Sequence, residues 1–477
     1  MLLVLALLGC AVGVVAGVLS GPLWLDETLS VEIARLPLDG LYGALRQDGA
    51  PPLYYLLLKA WIALFGTGTI AVRLLTVLMV PVALLLTYRL GACLGGRAAG
   101  RAAVIVLAAL PWTMRYGSET RMYLLVVVLV LAGALALLTV HRSGSRRAVV
   151  ALGCVAALLL LTHYWALFLL AAVGLLHLPG LLRRSPAAVR VVVGLALGGV
   201  LFLPWLSTFL FQAAHTGAPW ADPLKAFELV RTPRYWGGGS KVSRTLLALL
   251  LVPLAVWGAV RRPAVRLPAA VTLLTLLLAF TAVYVAGGAY TGRYTAVIVP
   301  LLCVSVGAGA AALTGRWTAP VALGLLVVIG VASGVPGAAR TRTSAGGITE
   351  AFAAAGGSSG DLLAYCPDQL GPPVWRLLDG GDGRGVEQVV YPSFGDPRRI
   401  DWVDYEVRQE AADPAAFARR LSGAAGQSPL FVLAATEYRT FEGQCEALLS
   451  SLTSLRGQPE PLFGKVGTTA QILYRFD

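Results

Sequence analysis

Long apolar runs dominate the chain, and short polar connectors interrupt them. The runs lie near 2–20, 71–92, 102–113, 122–140, 148–161, 165–182, 191–211, 245–260, 267–286, 295–313 and 319–336. A helix needs about 20 apolar residues to cross a bilayer, so these predict about eleven transmembrane helices. The first connector, 21–70, is long. Past residue 337 the pattern changes. Short β-like runs (Leu362–Tyr365, Gln388–Tyr391, Leu430–Ala434, Gln471–Phe476) alternate with helical stretches (Gln369–Leu378, Pro414–Ser422, Cys445–Leu455). The expected architecture is an α-helical polytopic membrane domain, 1–337, followed by an α/β domain, 338–477.

Composition agrees: 57% of the 477 residues are hydrophobic and 13% are charged. That excludes disorder, collagen and a small disulfide scaffold. The net charge of +13 hides a division, since residues 1–337 carry a net +17 and residues 338–477 a net −4. The sequence pI of about 9.7 is not a nucleic-acid signal, because the arginines sit in short connectors between apolar runs.

Alternate connectors hold Arg97/Arg101, Arg142/Arg146/Arg147, Arg183/Arg184/Arg190, Arg261/Arg262/Arg266 and Arg316, with no acidic residue among them. The positive-inside rule places these in the cytoplasm. The acidic residues of the membrane domain (Asp26, Glu27, Glu32, Asp39, Asp48, Glu119, Asp222, Glu228) then face outward, as does the C-terminal domain. A multi-pass protein of the cytoplasmic membrane is expected, N-terminus inside. Met1 is followed by no basic region and no clear A-x-A site, so the first run is expected to persist as a helix. Its Gly9, Gly13, Gly17 and Gly21 form a small-residue stripe that reads as helix packing. Cys366 and Cys445 are the only cysteines of the C-terminal domain, and an oxidising compartment makes them a candidate disulfide.

Candidate chemistry lies in the outward connectors. Asp26 and Glu27 directly follow the first span, where paired carboxylates are costly unless solvated or used. They read equally as a helix start, with Asp26 capping, and as a general base at the membrane surface. Asp48-Gly-Ala-Pro-Pro-Leu-Tyr54-Tyr55 sets a rigid turn before an apolar helix, and its two tyrosines read locally as interfacial belt residues. Arg115-Tyr116-Gly-Ser-Glu119-Thr-Arg121-Met-Tyr123 packs two arginines, a carboxylate and two tyrosines into a tiny loop. That density suits an ion-pair network or a bidentate grip on phosphate. His163 and Tyr164 sit in a turn with almost no polar loop, and Arg293-Tyr294 at another span end. In Gln212–Arg244, charged and aromatic residues precede Gly237-Gly-Gly, read as a mobile flap.

Taken in order, these motifs resemble glycosyltransferase family 39, the protein O-mannosyltransferases and aminoarabinose transferases of the C-type membrane class, in an actinobacterial form. The resemblance covers nearly all of residues 20–300. It implies transfer of a mannose or arabinose-like sugar from a polyprenyl-phosphate donor to a glycan, lipid or protein acceptor outside the membrane. It makes Asp26 the catalytic base and Glu27 its neighbour. The substrate-binding candidates are Asp48, Tyr54, Tyr55, Arg115, Tyr116, Glu119, Arg121, Tyr123, His163, Tyr164, Arg293 and Tyr294. Relatives commonly carry His or Lys before the paired prolines, where this chain has Ala50, so phosphate binding falls to Arg115, Arg121, His163 or Arg293.

A phosphate leaving group needs neutralising cations more than an acid, and one carboxylate suffices to deprotonate the acceptor, which implies inversion. No cofactor is expected. Asp26, Glu27 and Asp48 offer oxygen ligands to a divalent ion, but the four histidines have no zinc spacing, and a metal-free site is preferred. Two rival readings are a flippase or transporter for a lipid-linked sugar, and a non-catalytic glycan-binding membrane protein.

Overall fold

The computed structural model describes residues 1–380, 385–435, 441–464 and 471–477. They form two compact units. One comprises Met1–Ser20, Ala50–Phe209 and Pro223–Arg340; the other comprises Gly21–Gly49, Leu210–Asp222 and Thr341–Asp477.

The first unit is a multi-pass membrane bundle. Among the described residues, six helical stretches are long and apolar enough to cross a membrane: Thr69–Ala109, Tyr123–Ser143, Pro186–His215, Lys241–Arg261, Pro263–Ala286 and Thr318–Ala339. Shorter apolar helices are Leu2–Val18, Leu53–Phe65, Ala166–Leu182 and Val299–Ala310, and Arg146–Leu160 stands between them. The second and third apolar runs of the sequence meet at Gly96, whose φ of 82° breaks the helix. The two halves fold back closely: a Cβ on Gly91 would come within 2.9 Å of the Gly100 Cα. The glycine stripe of the first helix is packing, as expected. Side chains at Gly9, Gly13 and Gly17 would collide with Val331, Met114 and Ser118.

Two parts of this unit differ from the sequence expectation. Leu53–Phe65 is an apolar helix inside the first connector, and its thirteen residues are too few to register as a full span. Gly237-Gly-Gly is closely packed rather than loose. A Cβ on Gly238 would lie 2.8 Å from Pro111 Cβ, and one on Gly237 would lie 2.8 Å from the Arg244 Cα. Glycine is used there for close approach of backbones.

The second unit is built on a five-stranded sheet, with β1 Leu362–Cys366, β2 Glu387–Val390, β3 Leu430–Ala434, β4 Glu460–Phe463 and β5 Ile472–Phe476. The order is β2-β1-β3-β5-β4. The first three strands pair in parallel, and β5 runs antiparallel to both β3 and β4. Side chains alternate across a strand, so β1 and β3 feed two cores. Leu362, Ala364, Leu430 and Val432 pack with Phe417, Leu421 and Leu448 on one face. Leu363, Tyr365, Phe431 and Leu433 pack with Ile348, Phe352 and Val374 on the other. A disulfide joins Cys366 to Cys445. The helix Leu25–Arg35 belongs to this unit, and its Leu29 is buried within the first of these cores.

Candidate active site

Helix Leu25–Arg35 carries the paired carboxylates in its first turn. They are not equivalent. Glu27 is fully buried, and its Oε2 accepts the Trp24 backbone N–H at 3.4 Å. The capping role therefore falls to Glu27, not to Asp26, because position N3 reaches back to the orphan amide at the helix start. Asp26 is half-exposed on the same turn.

The other end of this helix is tied down by charge. Glu32 is buried and accepts from Arg376 Nη1 at 2.9 Å and from Arg35 Nη1 at 3.0 Å. Arg376 comes from the helix Gly371–Asp379 and is itself largely buried. Burial draws its pKa down, and the Glu32 carboxylate opposes the shift. Asp48 ends the next helix, Leu38–Asp48, which Gly49 terminates at a φ of 77°.

In the membrane unit, three separate turns meet through aromatic rings. Trp112 and Tyr116 lie 4.8 Å apart by ring centre, Tyr116 and Tyr123 5.2 Å, Tyr123 and His163 6.1 Å, and His163 and Tyr294 4.9 Å. Trp165 continues the row, 5.5 Å from Tyr294 and 5.6 Å from Tyr290. Hydrogen bonds fix the turns: Trp112 Nε1 donates to the Gly292 carbonyl at 2.8 Å, and Trp236 Nε1 to Thr295 Oγ1 at 3.0 Å.

The cations lie along this row. Arg115 pairs with the buried Glu119 at 3.1 Å, and its guanidinium stands 5.9 Å from the Tyr116 ring centre. Arg293 stands 5.5 Å from the Tyr294 ring centre. Burial pushes His163 down to about 3, and the Arg121 and Arg293 guanidiniums push it the same way. Its Nδ1 accepts the Trp165 backbone N–H at 3.2 Å, which leaves the proton of the neutral ring on Nε2 as a donor.

The fold thus brings together Arg115, Tyr116, Glu119, Arg121, Tyr123, His163, Arg293 and Tyr294. Other candidates lie elsewhere in the unit. Tyr54 and Tyr55 are fully buried, stacked edge to face at 6.2 Å, with the Tyr54 hydroxyl 3.4 Å from Thr76 Oγ1. Tyr164 accepts from Trp205 Nε1 at 2.9 Å and packs against Phe209. Trp112, Trp165 and Tyr290 were not among the candidates, since each shows in the sequence only as an aromatic at a span end. Nor was Arg73, which is fully buried and donates to the Val18 carbonyl at 2.9 Å. Among the described residues, no group of three His, Cys, Asp or Glu side chains is placed to hold a metal ion.

A sequence model of the family described as dolichyl-phosphate-mannose-protein mannosyltransferase matches residues 49–207. No curated protein sequence matches the chain. Solved structures are similar in fold. ArnT from Cupriavidus metallidurans, bound to undecaprenyl phosphate, superposes with a TM-score of 0.58 at 14% identity, over 98% of this chain and 97% of that one. The archaeal oligosaccharyltransferase AglB from Archaeoglobus fulgidus, in complex with an inhibitory peptide and a dolichol-phosphate, gives 0.53 at 10% identity, over 91% and 69%. The fold is that of the C-type membrane glycosyltransferases, with an α/β domain at the C-terminus.

Proposed function

We propose that the protein is an inverting glycosyltransferase that moves a mannose or arabinose-like sugar from a polyprenyl-phosphate donor to an acceptor hydroxyl at the outer face of the cytoplasmic membrane. The observation that carries this reading is the convergence of Arg121 and Arg293 on one buried, neutral imidazole. Two guanidiniums and an Nε2 donor are the equipment of a phosphate site, since guanidinium matches phosphate bidentately. The match of residues 49–207 to a mannosyltransferase family supports it, as does a fold shared with an enzyme holding undecaprenyl phosphate.

The chemistry follows from the groups available. The acceptor oxygen attacks the anomeric carbon and gives its proton to the Asp26 carboxylate. The bond from that carbon to the phosphate oxygen breaks on the opposite face, and polyprenyl phosphate leaves as an anion held by Arg121, Arg293 and His163 Nε2–H. A single displacement inverts the anomeric centre. Glu27 holds the turn on which Asp26 sits. Arg115 and Glu119 brace the loop that carries Arg121. Arginine takes the part that the absent His or Lys at Ala50 plays in relatives.

The test uses protein purified in detergent, a panel of polyprenyl-phosphate sugars, and membrane extract as acceptor. Release of polyprenyl phosphate should depend on the sugar, and Asp26→Asn should lower turnover by about 10²–10⁴-fold, the usual contribution of a positioned base. Full turnover in Asp26→Asn removes Asp26 as base. Donor lipid that crosses liposome bilayers without being cleaved would replace the transferase with a flippase.

A further inference from the structure

The second unit contains a cavity of about 220 Å³ that the catalytic proposal does not use. Trp24 and Leu25, the residues immediately before Asp26, form part of its wall. Arg342, Thr343, Gln369 and Gln471 add polar groups, while Ile348, Val374 and Leu433 supply apolar surface. Among the described residues, no carboxylate lines it.

Gln369 decides what the cavity asks for. The residue is 5% exposed. Its Nε2 donates to the Tyr405 hydroxyl at 2.7 Å, and that hydroxyl donates to Asp368 Oδ1 at 2.5 Å. The relay fixes the amide orientation, because the Tyr405 hydroxyl donates to Oδ1 of the Asp368 carboxyl group and is left to accept from the amide N–H. Gln369 Oε1 is then the free end, and it has no hydrogen-bond partner among the described residues. A buried acceptor left unmade costs about 1–3 kcal/mol, so the site favours a ligand that donates to it. Trp24 and Arg342 carry only donors, and Thr343 and Gln471 carry both kinds. The group that answers donors and acceptors together is a hydroxyl. The volume is below the ~300–1,000 Å³ of pockets for drug-sized ligands, which suits one ring rather than a run of peptide. A sugar ring also presents C–H faces to Leu25, Val374 and Leu433.

We propose that this cavity binds one sugar unit of a glycan acceptor, with Gln369 Oε1 accepting from a ring hydroxyl. The inference rests on the transfer reading, which places the acceptor beside Asp26, two residues along the chain from Trp24. It makes the acceptor a saccharide.

Saturation-transfer NMR on the full chain in detergent, with methyl pyranosides and furanosides of mannose, galactose, glucose and arabinose as probes, tests it apart from turnover. At least one glycoside should bind, Gln369→Leu should weaken it about ten-fold, and Asp26→Asn should bind it unchanged. Gln471→Ala, a separate wall position, should weaken it several-fold and guards against misfolding of the first variant. The proposal is overturned if no glycoside binds the wild type, if both wall variants bind as the wild type does, or if a Ser/Thr hexapeptide binds instead in a Gln369-dependent way. Sugar binding that persists while Asp26→Asn retains full turnover sinks the base assignment and spares the cavity.

Discussion

The two units both pair buried charge, and differ in what else they bury beside it. In the second unit each buried carboxylate described is matched: Glu27 to a backbone amide, Glu32 to two arginines, Asp368 to a tyrosine. In the membrane unit Glu119 is matched to Arg115 in the same way, and beside that pair Arg121 and Arg293 act on a histidine that burial and their charge keep neutral. Matched charge fixes geometry and asks for nothing further, so the second unit reads as a rigid mount for Asp26. Cations gathered on a neutral donor invite an anion. Substitutions that treat the two clusters alike should therefore give different readouts, stability in one and turnover in the other.

The largest effect is expected at Arg376. Removing one partner of a buried pair leaves an uncompensated charge at about 3–5 kcal/mol, whereas removing both is often near neutral. Arg376→Met should destabilise the second unit by about that amount, and Arg376→Met with Glu32→Gln should recover most of it. Hydrogen exchange over residues 25–35 reads this directly. If Arg376→Met leaves that helix as protected as before, the clamp is not what fixes it.

Asp368 comes next. Burial raises its carboxyl from 3.8 to about 7, with the Tyr405 hydrogen bond opposing the rise. The folded state thus keeps a proton up to about pH 7 that the unfolded chain releases near 3.8. Between those values the native state binds more protons, so stability falls as pH rises from 4 to 7, by up to about 4 kcal/mol. Asp368→Asn keeps an acceptor for Tyr405 and removes the titration. Its melting temperature should stay flat where the wild type declines. Parallel declines in both proteins would assign the pH dependence to other groups.

On the membrane side the expected signal is kinetic. Arg121→Gln and Arg293→Gln should each lower turnover by about 10²–10³-fold, the usual cost of losing one donor to developing charge. Arg115→Gln should act mainly through stability, because its partner is the buried Glu119. Equal kinetic losses at all three arginines would erase the distinction between a bracing and a binding cation.

Much of this was legible from the chain. The apolar runs announce their helices because hydrophobic length is the signal a bilayer imposes. β1 and β3 stand out because both faces are buried and the residues are almost all apolar. What escaped detection was short, exposed or distant. β4, Glu460–Phe463, is a half-exposed edge strand containing Pro461, and the helix Ala345–Ala354 carries two glycines in its first turn, which propensity argues against. The candidate site was visible as separate motifs but not as a cluster. The Trp112–Gly292 bond closes over 180 residues and the Glu32–Arg376 pair over 344, and no local periodicity encodes such a contact. The split between Asp26 and Glu27 was likewise beyond adjacency, since it depends on which of them reaches the Trp24 amide.

The smallest effect is expected at His163, and it bears most directly on the anion. With its conjugate acid near 3, the ring does not ionise between pH 5 and 8, and its Nε2–H donates without changing charge. His163 should add no step to the pH–rate profile in that window, and His163→Gln, which also offers an N–H donor, should fall within a few-fold of wild type. Occupancy changes the sign of the local field. A phosphate anion between Arg121 and Arg293 favours the charged imidazolium, so the His163 pKa should rise when polyprenyl phosphate binds. NMR titration of the imidazole Cε1–H, with and without the lipid, measures the shift. A pKa that stays put, or falls further, would mean that the phosphate binds elsewhere and that these arginines serve the bundle rather than the donor.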